Sequence, residues 1–118
     1  MEAQNDLSKR LFYFAIRVIK FIRSFPEDPE YKVIKYQLIK SSTSSGANYE
    51  EAQAAISKAD FHNKIRISLK EMVESNYWLR ITKEIANLKI DQDELRWLIN
   101  ESEELGKILG SIASKTRK

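Results

Sequence analysis

Few residues in this sequence could perform acid–base or metal chemistry. His62 is the only histidine and there is no cysteine, which excludes thiolate nucleophiles, disulfides and Cys-ligated metal sites. The best carboxylate pair is Glu71 and Glu74, three residues apart beside Trp78, and such a pair acts as acid and base when its two pKa values are driven apart. The competing interpretation, which we favour, is that these carboxylates pair with Lys, Arg, Ser or Asn across a helix interface.

Known metal and phosphate motifs are missing from the sequence. A di-iron bundle needs Glu-x-x-His on two helices, but Ala59 stands three residues before His62. Gly46, Gly106 and Gly110 are isolated within helical patterns, so there is no Gly-rich phosphate loop. We therefore predict that His62 is an exposed helix residue and that the protein has no catalytic residue, metal or cofactor.

Composition favours one small helical domain. The chain has 118 residues, 42% of them apolar, with only 3 Gly and 2 Pro, which is too few for a turn-rich β fold. We expect a single domain over residues 1–118. The longest apolar run, residues 11–16, is too short to span a bilayer, and the polar N-terminus shows no signal peptide. We expect a soluble cytoplasmic protein with no membrane partner.

Hydrophobic periodicity predicts an all-α fold, an antiparallel up-down-up-down four-helix bundle. The predicted helices span residues of about 6–25, 29–55, 58–87 and 92–114.

The predicted helix starts carry recognisable caps. Asp28 stands before a proline as the N-cap of the second helix. Ser57 and Asp60 form an acidic variant of the capping box at the start of the third helix, with Ile56 and Phe61 spaced as a hydrophobic staple.

The second helix contains the run Ser-Ser-Thr-Ser-Ser-Gly at residues 41–46, which could also be a loop. Spacings of three and four residues continue through this run and favour a helix, with Ser41, Ser45 and Asn48 pointing inward. The serine hydroxyls are then expected to bond back to i−4 carbonyls. Asn48 is expected to be a buried hydrogen-bonding residue that fixes helix register.

Charge is distributed in blocks. The first helix carries five basic residues against one acidic residue, the start of the fourth helix is acidic, and the tail is basic again. In an antiparallel bundle, the acidic start of the fourth helix would face Arg17, Lys20 and Arg23. Tyr13 and Ile16 fall within the basic arc of the first helix, and their exposure would hint at a subunit contact.

Two stretches carry a family resemblance. The first is Ser-Ser-Thr-Ser-Ser-Gly-Ala-Asn-Tyr-Glu-Glu-Ala-Gln at residues 41–53, and the second is Glu-x-x-Glu-Ser-x-Tyr-Trp-Leu at residues 71–79. Together they closely resemble the small four-helix-bundle proteins encoded in intervening sequences of bacterial 23S rRNA genes. The best-matched positions are Asn48, Glu51, Ser57, Asp60, Phe61, Glu71, Glu74, Ser75, Tyr77 and Trp78. Gly46 is a departure, because many members have proline there, and Ala52-Gln53-Ala54 replaces a more common Gly-aromatic-Gly.

The resemblance implies a bundle that assembles as a ring-like homopentamer, with the matched residues serving structure and assembly. It also implies a relative, the accessory protein of diversity-generating retroelements, which binds nucleic acid and a reverse transcriptase.

Two classes of function follow. The first is a non-catalytic nucleic-acid-binding accessory protein, with RNA or DNA held on basic surfaces repeated around the ring. The candidate binding residues are Arg10, Arg17, Lys20, Arg23, Lys115, Arg117 and Lys118. No base-reading motif with interleaved aromatic residues is visible, so sequence-specific recognition is not expected. The alternative is a protein–protein interaction scaffold without a nucleic-acid role, whose partner could be a protein such as a reverse transcriptase.

Overall fold

The computed structural model describes residues 2–117, with side chains from residue 6 onward. The described residues form four α-helices and no strand, which confirms the all-α fold. The helices are α1 (Glu2–Ile22), α2 (Pro29–Gln53), α3 (Lys58–Ile85) and α4 (Gln92–Thr116).

The helices pack in cyclic order, α1 against α2, α2 against α3, α3 against α4, and α4 against α1. Side-chain contacts give their directions. Arg10 of α1 contacts Glu101 of α4, whereas Arg17 contacts Glu94, so residue numbers rise along one helix as they fall along the other. The same reversal holds across the other three pairs of neighbours. The result is an antiparallel, four-sided bundle 46 Å long.

Each helix contributes a stripe of buried apolar side chains at helical spacing to one core. The largest fully buried side chains include Leu11, Phe14, Ile22, Leu38, Tyr49, Ile65, Met72, Leu79, Leu95, Leu98 and Leu105. This stripe fixes which face of each helix remains outside, and therefore which polar side chains are available for function.

Buried serines join α2 to α3. The Oγ atoms of Ser41 and Ser75 lie 2.7 Å apart and share a hydrogen bond. Ser45 Oγ donates to the Ser68 carbonyl at 2.9 Å, and Ser68 Oγ donates to the Ser45 carbonyl at 2.7 Å. The loop alternative for residues 41–46 is therefore wrong. The expected i−4 bonding of these two α2 serines is also wrong, because small side chains bring the helices close enough for the hydroxyls to bond across the interface.

Asn48 does not take the inward position predicted for it. The inward-pointing residue after Ser45 is Tyr49, four residues on, which is fully buried. Asn48 is half-buried, and its Nδ2 donates to the carbonyl and the Oγ of Ser44 at 2.9 and 3.1 Å. Asn48 therefore bonds within its own helix, and helix register is fixed by the serines.

The helix ends differ from prediction by a few residues. α1 ends at Ile22 rather than 25, because Pro26 disfavours a helical conformation at the residue before it. Phe25 is still buried, with its ring centroid 5.4 Å from that of Phe21 and 5.1 Å from that of Tyr31. α2 and α3 each end two residues earlier than predicted, and α4 continues two residues further.

The caps are partly as predicted. Ser57 Oγ accepts from the Asp60 backbone N–H at 3.0 Å, and Asp60 Oδ2 accepts from the Ile56 N–H at 3.3 Å. The staple prediction is wrong, because Ile56 is 93% exposed while Phe61 packs on the core. The Asp28 side chain makes no cap hydrogen bond. At the start of α2 the backbone carbonyl of Asp28 accepts from the N–H groups of Tyr31 and Lys32 instead.

Candidate nucleic-acid interface

Arg17 is held by α4 in an ion pair that a phosphate would have to displace. Its Nε and Nη2 donate to the two carboxylate oxygens of Glu94 at 2.9 and 2.7 Å, and its guanidinium lies 3.5 Å from the ring centroid of Trp97. The hydrogen bonds to Glu94 raise the pKa of Arg17. A bidentate pair of this kind cancels the charge that a phosphate would need.

Arg10, about two helical turns before Arg17 on α1, is held in the same way. Its Nε and Nη2 donate to Glu101 at 3.0 and 2.9 Å, and Nη2 also donates to Glu104 at 2.8 Å. The hydrogen bond to Glu101 is the main cause of the raised pKa of Arg10. That Arg10 and Arg17 bind nucleic acid stays a prediction, and a phosphate would have to compete with the carboxylates of α4 for both side chains.

The other predicted basic residues do not form one surface. Lys20 and Arg23 are exposed at the C-terminal end of α1, and within residues 2–117 neither has an ion-pair partner. The prediction that the basic residues of α1 face the acidic start of α4 is confirmed for Arg17, which pairs with Glu94, and for Lys20, which lines a cavity together with Asp91 and Glu94. Lys115 and Arg117 are exposed at the C-terminal end of α4, the opposite end of the antiparallel bundle, and Lys118 lies outside the described residues.

A groove of about 980 Å³ between α3 and α4 collects basic side chains that lie apart in the sequence. Arg66 and Lys70 come from α3, and Arg117 directly follows the last residue of α4. All three are exposed, none has an ion-pair partner in the described part of the chain, and no Asp or Glu lines the groove. The remaining lining residues are His62, Asn63, Ile67, Leu69, Val73, Gly110, Ala113 and Ser114.

Sequence reasoning missed Arg66 and Lys70 because it summed charge along the chain. Asp60 and Glu71 lie close to them in sequence, but helical phase directs these carboxylates elsewhere. The available signal was the i, i+4 spacing of the two basic residues.

His62 lies at one end of this groove and is half-buried, not exposed as predicted. Its Nδ1 is 2.8 Å from Thr116 Oγ1, and that hydroxyl donates to the Ile112 carbonyl at 3.0 Å. The hydroxyl carries one proton, so the direction of the hydrogen bond between His62 and Thr116 depends on the imidazole tautomer. His62 therefore ties the start of α3 to the end of α4.

The Glu71 and Glu74 pair does not form the interface predicted for it. Glu74 Oε2 accepts from Trp78 Nε1 at 3.0 Å, one turn along the same helix. Glu71 is half-buried and bonds to no side chain among the described residues. Neither carboxylate lines the α3–α4 groove.

Four of the family-matched residues, Asn48, Glu51, Glu71 and Trp78, lie on the α2–α3 face. Lys64 Nζ of α3 donates to Glu51 Oε1 of α2 at 2.7 Å, which raises the pKa of Lys64. Asn48 lies one turn before Glu51, and Glu71 and Trp78 follow at helical spacing along α3. This face therefore combines polar and aromatic side chains that are only half-buried.

The α1–α2 face is apolar. A groove of about 300 Å³ is lined there by Phe12, Ile16 and Ile19 of α1 and by Ala47 of α2. Phe12 is 58% exposed. Tyr13, predicted to be exposed, is exposed by 57%, whereas Ile16 is half-buried. Large apolar side chains that remain in contact with solvent mark a face suited to protein contact.

Neither a metal-binding cluster nor a membrane-spanning helix is found among the described residues. In residues 2–117, His, Asp and Glu side chains do not come together in a group that could hold a metal ion. None of the helices described there is long and apolar enough to cross a bilayer.

Comparisons with known proteins agree with the fold. The model of a family described as 23S rRNA-intervening sequence protein matches residues 3–111. A crystal structure of a Bacteroides thetaiotaomicron protein of unknown function from the S23 ribosomal protein family superposes with a TM-score of 0.82 at 33% identity. The similarity covers 94% of this chain and 97% of that one. Among curated proteins, none matches this chain significantly.

Proposed function

Because this chain belongs to the 23S rRNA-intervening sequence protein family, we propose that it is a non-catalytic, oligomeric, cytoplasmic accessory protein that binds the backbone of nucleic acid. The observation that carries this proposal is the α3–α4 groove, where Arg66, Lys70 and Arg117 converge with no carboxylate among the lining residues. Arg10 and Arg17, by contrast, are paired with carboxylates of α4. The groove is a part of the surface where basic side chains from two separate stretches of the chain lie together without an ion-pair partner among the described residues.

The spacing of these cations suits a phosphodiester chain. Arg66 and Lys70 are one helical turn apart, or about 6 Å along α3, and Arg117 approaches from the other side of the groove. Neutralising phosphates releases counterions, so binding of this kind is strong at low salt and weakens steeply as salt rises. It carries no sequence specificity, because phosphates are the same at every base.

Assembly multiplies this weak site. We infer that the apolar α1–α2 face docks a second copy, since Phe12 exposes 58% of its surface there beside Ile16 and Ile19. Interfaces on opposite sides of a subunit extend in a line, whereas interfaces on adjacent sides of a four-sided bundle, roughly 90° apart, close a ring of about four or five copies.

The α2–α3 face is adjacent to the α1–α2 face. It holds the half-buried side chains of Asn48 and Glu71, and the Glu71 carboxylate has no side-chain partner among the described residues. A homopentamer that joins these two faces leaves every α3–α4 groove open, because that groove lies opposite the α1–α2 face. Five equivalent grooves on one ring then bind one polynucleotide with far higher avidity than a single groove.

Fluorescence polarisation with a structured RNA and a duplex DNA tests the nucleic-acid proposal. We expect binding at low salt that weakens as salt rises, and a loss of affinity in the double variant Arg66→Gln/Lys70→Gln. The matched control is Lys32→Gln/Lys40→Gln, which removes two exposed cations from α2 and should leave affinity within about twofold of wild type. If wild-type protein binds neither probe at low salt, the proposal is rejected.

Light scattering tests the assembly separately. We expect five times the protomer mass of 13.8 kDa, and a smaller mass for Phe12→Asp, because a carboxylate would be buried in the interface. A wild-type monomer would reject the ring.

The alternative function is a protein–protein scaffold, and the apolar α1–α2 face is the observation that favours it. Under this alternative, Phe12 and Ile16 contact a partner protein, such as a reverse transcriptase, instead of a second copy. The two functions give opposite results in the assays above. A scaffold is monomeric until its partner is added and does not bind RNA or DNA at low salt.

A further inference from the structure

One side of α3 carries a continuous strip of exposed residues that extends the groove. Arg66, Lys70, Val73, Tyr77 and Arg80 follow one another at spacings of four, three, four and three residues, and all five are exposed. This spacing keeps them on one face of the helix over about 21 Å. The strip thus has two cations at one end and one at the other, with an aliphatic and an aromatic side chain between them.

Tyr77 is held in place by its neighbours while 48% of its surface stays exposed. The Arg80 guanidinium lies 5.8 Å from the centroid of the Tyr77 ring. Arg80 Nε donates to Asn76 Oδ1 at 2.8 Å, and Asn76 Nδ2 donates to the buried Ser102 Oγ at 2.9 Å. The ring of Trp78 meets that of Tyr77 edge-on, with centroids 5.3 Å apart. These contacts limit the motion of the aromatic ring before any ligand arrives.

We infer that the ligand of this strip is single-stranded polynucleotide, with phosphates at Arg66, Lys70 and Arg80 and an unpaired base stacked on Tyr77. This inference rests on the proposed function and names the form of nucleic acid that the groove takes.

The apolar side chains of the strip favour a single strand over a duplex. Duplex DNA or RNA presents mainly phosphates and groove edges to a helix surface, and cations alone would satisfy it. An unpaired strand also presents the flat faces of its bases, which gain from contact with an aromatic ring. Val73 and Tyr77 supply such contacts between the cations of the strip. Glu84, one turn beyond Arg80, ends the strip with a charge that repels phosphate.

The test compares oligouridine and oligothymidine of about 20 nucleotides with a duplex hairpin of equal length, by fluorescence anisotropy at low salt. We expect both single strands to bind more tightly than the hairpin, and a difference between the two would reveal a preference for RNA or DNA. Tyr77→Ala should weaken single-strand binding about 5- to 150-fold, whereas Tyr77→Phe should keep it. Leu88→Ala is the control, since Leu88 is also a large exposed side chain but lies outside the strip and outside the proposed interfaces.

The outcomes separate the inference from the proposed function. If the hairpin binds as tightly as the single strands, or if Tyr77→Ala binds them like wild type, the inference is wrong and the proposed function stands. If wild-type protein binds no probe at low salt, both are wrong. Circular dichroism and light scattering on each variant establish that fold and mass are unchanged, and Arg66→Gln/Lys70→Gln gives an independent measure of the same strip.

Discussion

A leucine at position 68 should separate the two helices that pack most closely. Ser68 is fully buried, and its hydroxyl donates to the Ser45 carbonyl at 2.7 Å. Ser68→Leu removes that bond, worth about 1 kcal/mol, and forces extra carbon atoms into a filled interface, which costs about 1–3 kcal/mol. The hydrogen bond between Ser41 and Ser75 would also be lengthened. It is 2.7 Å long and lies about two helical turns from Ser68 along α3. We expect a loss of about 3 kcal/mol in the free energy of unfolding.

Ser68→Ala separates the effect of the hydroxyl from the effect of bulk. It should cost about 1 kcal/mol, because the Ser45 hydroxyl keeps its acceptor, the backbone carbonyl of residue 68. The double variant Ser45→Ala/Ser68→Ala should cost less than the sum of the two single variants, since each removes part of the same hydrogen-bonded pair.

Urea unfolding followed by circular dichroism measures these differences, at one fixed protomer concentration because assembly adds to apparent stability. Lys83→Leu is the matched control, since Lys83 is exposed on the same helix and should change stability by less than about 0.5 kcal/mol. If Ser68→Leu lies as close to wild type as this control does, the close α2–α3 packing is refuted.

Three further predictions concern stability and charge. Gly106→Ala should stabilise the fold by about 0.5–1 kcal/mol, because a Cβ there meets no atom within 4 Å; an unchanged urea midpoint would contradict this. Arg17→Gln should cost at most about 1 kcal/mol, less in high salt, and leave nucleic-acid affinity unchanged in the polarisation assay, because Arg17 is already paired with a carboxylate. Burial raises the pKa of Tyr31 and of Tyr49 above the usual 10.0, so the folded state holds these protons more tightly than the unfolded state. The contribution of these two tyrosines to the free energy of unfolding should therefore be constant below pH 10 and fall above it, and Tyr31→Phe should reduce that fall in urea titrations at increasing pH.

The fold was largely predictable from the sequence, because apolar spacing alone determines which face of a helix is buried. The serine run shows this most clearly, since Ser41 and Ser45 kept helical phase although their residue type favours turns. The limit of prediction from spacing is seen at residues 48 and 49, where Tyr49 and not the predicted Asn48 points inward. Spacings of three and four are equally helical, and only the neighbouring helix decides between them.

The candidate site was less predictable, because it depends on which charges meet across helices. Position along the chain made Arg10 look available, but the register of α1 against α4 places two carboxylates within 3 Å of it. Conversely, Arg66 and Arg117 are 51 positions apart, and only the packing of α3 on α4 brings them to one groove. Tyr77 was singled out as a matched residue, while its place between cations became visible only on the folded helix.

The four edges of the bundle are closed by different kinds of bond. Charged pairs such as Arg17 with Glu94 close the edge between the first and last helices, whereas buried hydroxyls close the edge between α2 and α3. Dissolved ions screen partly exposed charges and have little effect on buried hydroxyls. Ionic strength therefore acts mainly on the edge that joins the first and last helices, whereas at the α2–α3 edge it reaches the Lys64–Glu51 pair but not the buried hydroxyls. Concentrated salt should thus weaken the contact between α1 and α4 along the length of the bundle, while the contact between α2 and α3 keeps its buried hydrogen bonds.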